Sequence, residues 1–183
     1  MSGPLRALIL KAFSLALLLS SCCLQAVDSK GALACLDALP EKYRSGVLKL
    51  SADSANPDPD TWYVSARAGR DDHGLRSIEV ASGQIISDKP TLGLREILSS
   101  AKPLNLSKVQ VDSRGIFDTA QNYAGANGKQ IATVSFVLNQ QGSFAVPIWS
   151  VWCYGPNGTY FGEMKLLASN GTVISNDAFP KKP

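Results

Sequence analysis

The residue types that carry covalent chemistry are scarce: one histidine and four cysteines in 183 residues. His73 lies in the polar phrase "GRDDHGL". Serine and cysteine hydrolases both need an imidazole as base, so any such mechanism would run through this one loop residue; a surface histidine is the simpler reading. Zinc sites require clustered Cys and His ligands, and the sequence holds no such cluster. Asp58 with Asp60, or Asp71 with Asp72, could meet calcium, but neither pair has EF-hand spacing or a loop glycine, and both read as solvated turns. No glycine-rich phosphate phrase follows a strand. Paired carboxylates of the glycosidase kind are open to any sequence; Glu79 and Glu163 fall in strand-like segments of different halves. The expectation is a chain without catalytic residue, cofactor or metal.

The cysteines point elsewhere. Arg6 and Lys11 precede an apolar stretch, "AFSLALLL", too short to span a bilayer. It reads as a signal peptide, residues 1–21. Directly after it, Leu19-Ser20-Ser21-Cys22 resembles the bacterial lipobox, in which small residues fit the peptidase and the cysteine thiol accepts diacylglycerol. Cys22 is thus the expected lipidation site, 22–27 an anchor segment, and the cell envelope (outer or plasma membrane) the expected location. The alternative is a soluble secreted or periplasmic protein cut after Ala26, against which the bulky Leu24 counts. Cys35 and Cys153 could bridge in an oxidising compartment if their Cα atoms lay within about 7 Å; two separately buried thiols is the preferred reading. Without Arg6 and Lys11 the net charge falls from +3 to +1, which gives no electrostatic reason to expect nucleic acid, or a membrane contact beyond the anchor.

The elements that position these residues come in two sets. "VASGQIIS" (80–87) returns as "LASNGTVIS" (167–175), Trp62 falls opposite Trp149, and "VDSKG" (27–31) meets "VDSRG" (111–115). Three collinear matches indicate an internal repeat. In the second set Asp112 or Ser113 caps a helix with Ile116, Ala120 and Ala124 on one face and Gly125 as a stop. In the first, Ala32, Leu36 and Leu39 form the stripe before Pro40. Alternating segments follow in each: 46–52, 61–68, 75–82 and 83–86, then 130–138, 147–154, 160–169 and 172–175. Asn157-Gly158 is a strong type I′ hairpin signal. Under the repeat Ile78 falls on Lys165, which breaks the pleat unless one copy has a bulge.

A helix followed by "PIWSVW", "YFGEMKLLASNGTVI" and, more weakly, "GLRSIEVASGQII" resembles the PepSY module of peptidase propeptides. Two in tandem resemble the architecture of beta-lactamase inhibitory proteins. The resemblance implies an α+β fold: two tandem modules, each a helix packed on a three- to four-stranded antiparallel sheet, at 28–88 and 111–176. A connector with a short helix (89–110) joins them, and a tail (177–183) follows. It also implies an extracytoplasmic, non-enzymatic protein-binding or inhibitor-like molecule. The alternatives are a structural subunit of an envelope complex and a small secreted hydrolase. With Trp62 and Trp149 facing the helices, Tyr63, Trp152 and Tyr154 are expected on the open sheet face as the candidate site for a protein partner, unless the connector or the other module covers them.

Overall fold

The computed structural model describes residues 30–68, 74–91, 101–141 and 146–179. Cys22 with the leader, His73 with Asp71 and Asp72, and the centre of the connector lie outside them.

Each half places a helical segment before four strands. In the first, α1 (Ala32–Ala38) and α2 (Glu41–Arg44) precede β1 (Val47–Ala55), β2 (Trp62–Arg67), β3 (Leu75–Ala81) and β4 (Gln84–Pro90). In the second, α3 (Ser113–Ala126) precedes β5 (Thr133–Gln141), β6 (Val146–Tyr154), β7 (Tyr160–Leu167) and β8 (Val173–Asn176). Pro40 ends α1, but its fixed φ then starts α2. Helix α3 runs through Gly125, whose cost of about 1 kcal/mol the buried stripe Ile116, Ala120 and Ala124 outweighs; it stops at Asn127, before Gly128 at φ 65°.

The halves do not form two tandem helix-on-sheet modules. All eight strands make one antiparallel sheet in the order β4-β3-β2-β1-β5-β6-β7-β8, and the helices among the described residues are three and short. Closed separately, each half would leave a nine-residue edge strand, β1 or β5, with a row of unpaired backbone groups. Such an edge invites pairing, and here each supplies the other's partner. Leu50 pairs with Leu138 and Ala52 with Phe136, all four fully buried.

The register is two-fold symmetric. Leu50 faces Val64 on one side as Phe136 faces Val151 on the other, and Trp62 faces Val80 as Trp149 faces Leu166. Exchanging the halves turns the Leu50–Leu138 pair into Phe136–Ala52, so the axis passes through the pair Ser51–Val137. The counterpart of Ile78, which pairs with Asp88, is Met164, which pairs with Asn176. Between the matched tryptophans and this pair the halves differ by one residue, and one copy does carry a bulge there: the β6–β7 ladder shifts between Cys153 and Tyr154, whereas the β2–β3 ladder runs without a break. Ala81 and Gln84 flank a two-residue turn with positive φ at Ser82 and Gly83, whereas the corresponding loop runs from Leu167 to Thr172. "VDSKG" and "VDSRG" do not correspond: Gly31 precedes α1, while Gly115 lies inside α3.

One face of the sheet carries the core. Trp62, Phe136 and Trp149 cluster there, ring centroids 5.8–6.2 Å apart. Each indole N–H donates to the carbonyl two residues before its own half's helix, Trp62 to Lys30 and Trp149 to Val111. The N-termini of α1 and α3 meet above this cluster, where Asp112 Oδ1 accepts from the backbone N–H of both Ser113 and Leu33.

Candidate functional site

Alternation sends every second strand residue to the other face of the sheet, over which no described helix lies. Across its middle run Glu79, Tyr63, Ser51, Val137, Ser150 and Lys165, paired in that order. At one end Ala101 packs on Leu48 and Leu75, and its carbonyl accepts from Arg67. The rest is polar side chains, the apolar pair Ile148 and Leu167, and two aromatic positions.

Trp152 and Tyr154 are next neighbours on this face of β6, and Tyr160 pairs with Tyr154 across the hairpin. The Tyr154 and Tyr160 rings lie 5.5 Å apart between centroids. Trp152 and Tyr154 are partly buried and Tyr160 is 54% exposed. The hairpin puts them together: Asn157 (φ 62°) and Gly158 (φ 73°) supply two positive φ angles in the loop that returns the chain to Tyr160. Trp152 is flanked by Ser135 and Glu163, and Lys165 approaches Glu163 at 3.7 Å. Partial burial, then Glu163, hold the Tyr160 phenol above its usual pKa. Tyr160 was not among the sequence candidates; its place just after Asn157-Gly158, across the turn from Tyr154, was the available signal.

Tyr63 is 43% exposed but stands apart from that patch. Three strand spacings and one pleat repeat separate it from Trp152, about 16 Å. It borders a recess of about 220 Å³ lined by Asp53, Ser54, Asp58, Asp60 and Thr61. Asp58 is held by Arg114, and Asp60 lies 3.8 Å from Lys30. No group of three possible metal ligands forms among the described residues.

Glu79 and Glu163 share the face but lie on β3 and β7, five strand spacings or about 24 Å apart. Carboxylates that cooperate on a glycosidic bond stand within about 10 Å, so these two do not form such a pair. Cys35 and Cys153 are free, separately buried thiols on the core side, as the preferred reading had them. Burial pushes both thiols up to about 12, helped at Cys35 by the Asp112 carboxylate. Thiols in that state are poor nucleophiles.

No family model, curated protein or solved structure matches the chain, so the likeness to PepSY modules rests on the quoted phrases alone.

Proposed function

We propose that this is an extracytoplasmic, non-enzymatic binding or inhibitor-like protein, anchored through lipid on Cys22, that holds a protein partner on the open face of its sheet. The observation that supports it is the Trp152–Tyr154–Tyr160 patch: three large aromatics side by side on a face free of described helices, two of them on one strand. Aromatics bring much contact area with few rotatable bonds, and anchor many interfaces. Tyr63 is an outlying contact on the same face.

The test compares two tryptophans of β6. Trp149 is fully buried and hydrogen-bonded, so Trp149→Ala costs about 3–5 kcal/mol of stability. Trp152→Ala costs clearly less and abolishes capture of the partner from envelope extracts. Equal destabilisation, or undiminished capture, discards the reading. For the anchor, labelled palmitate enters the wild type and not Cys22→Ser; equal incorporation discards the lipid.

A further inference from the structure

We infer that the outer edge of β8, together with Tyr123 of α3, takes up an extended segment of another polypeptide as a ninth strand. This site is separate from the aromatic face and does not depend on it.

The sheet ends in two edges, β4 and β8, which the two-fold axis relates. Both carry a bulge at the same place, leaving Ile86 (59% exposed) and Ile174 (49% exposed) without a cross-strand partner. Beyond the bulge the edges differ. β4 continues through Asp88, Lys89 and Pro90. Asp88 is clamped by Arg76 Nε at 2.8 Å and by the Tyr43 hydroxyl at 2.7 Å. Lys89 adds an exposed charge, and Pro90 has no N–H to offer. Charge and proline are the ordinary means of closing an edge against pairing.

β8 has neither. Val173-Ile174-Ser175-Asn176 is uncharged, carries no proline, and has only β7 as a strand neighbour among the described residues. All four of its residues line a recess of about 300 Å³ whose other wall is Tyr123 of α3. An edge strand with a helix running beside it is the arrangement in which peptides are bound by strand addition: backbone hydrogen bonds on one side, a side-chain pocket underneath. A strand of four residues spans about 13 Å, enough for three or four residues of ligand. Val173 packs on the core and Tyr123 does likewise, while Ser175 and Asn176 give the recess a largely polar lining, so it suits a small side chain with a hydrogen-bonding group. A second copy fits poorly, since pairing β8 with β8 sets bulge against bulge on a strand this short.

The experiment pans a displayed library of random peptides about ten residues long against the full mature protein, and titrates one synthesised winner. The expected result is slowed exchange of β8 amides in its presence, and affinity weakened at least about tenfold by Ile174→Lys and by Tyr123→Ala. Ile86→Lys and Trp152→Ala leave it unchanged. Ile174 is exposed, so Ile174→Lys keeps the fold and decides the matter even if Tyr123→Ala does not fold. Four results overturn the inference. They are no enrichment over an unrelated sheet protein, winners indifferent to Ile174→Lys, winners lost with Ile86→Lys or Trp152→Ala, and a wild-type dimer that Ile174→Lys dissociates.

Discussion

Asp112 caps two helices with one carboxylate, its own α3 and, from the other half, α1. A cap is worth about 1 kcal/mol, so Asp112→Ala should cost about 2 kcal/mol in urea unfolding, and Asp112→Asn much less, because asparagine caps nearly as well. Gly31 is the other side of this arrangement: a Cβ there would fall 2.3 Å from Asp112 Oδ2. Gly31→Ala should therefore destabilise, and the double change with Asp112→Ala should cost less than the sum of the two, since the clash disappears with the carboxylate. The sequence shows Asp112 as a cap for the helix that follows it. It hides the second role, because nothing local links Gly31 to a residue so far along the chain. The buried thiols give a pH prediction. Their folded pKa values, about 12, lie above the ordinary value of 9.0. The protonated form is thus favoured by folding, and the stability it supplies is whole below pH 9 and lost as pH rises from 9 towards 12. A denaturant midpoint falling through that window, and falling less in Cys35→Ala/Cys153→Ala, is the expected outcome.

At the scale of elements, periodicity was enough for the strands. "PIWSVWCY" and "QIATVSFVL" alternate cleanly, and β6 and β5 bury Trp149, Val151 and Cys153 with Val134, Phe136 and Leu138. The partition of aromatics on β2 and β6 also follows from the pleat: Trp62 and Trp149 inward, Tyr63 and Trp152 outward. Where elements stop was harder to read, since Gly125 is an apparent stop that core packing overrides, and α2 is a single turn started by Pro40. Bulges have no local signature; those between Glu79 and Val80 and between Lys165 and Leu166 fall at the same place in the two halves although the loops beside them differ in length. Gly162 in β7 is the sharpest case. Its φ is 137°, and a Cβ there would lie 2.6 Å from the Ala178 backbone. Gly162→Val should push away the segment through Phe179, which is buried against Phe161. The expected reading is faster proteolysis of the C-terminal residues along with lower stability.

For the whole molecule, the pairing of β1 with β5 decides everything and is the part least visible in the sequence. Local patterns define each meander, but nothing in "VLKLSADSA" states that its second neighbour lies so far along the chain in "TVSFVLNQQ". Because Trp62 and Trp149 come from different halves yet share one cluster, unfolding should be a single transition. Tryptophan fluorescence and far-UV circular dichroism should coincide along a urea titration; two separated transitions would mean the halves stand alone. Phe136→Ala, in the central ladder, should cost about 3–5 kcal/mol without splitting that transition. The axis through Ser51 and Val137 has one more consequence. Each half presents to the other the same edge, in the same register, that it would present to a copy of itself. The chain therefore has the geometry of a homodimer sewn into one polypeptide, and the covalent link fixes its composition at one of each half. That frees the halves to differ at matched positions. Where the second half sets Trp152 and Tyr154 on the open face, the first has Ser65 and Arg67. A true homodimer would have to show a partner two identical surfaces; this molecule shows one.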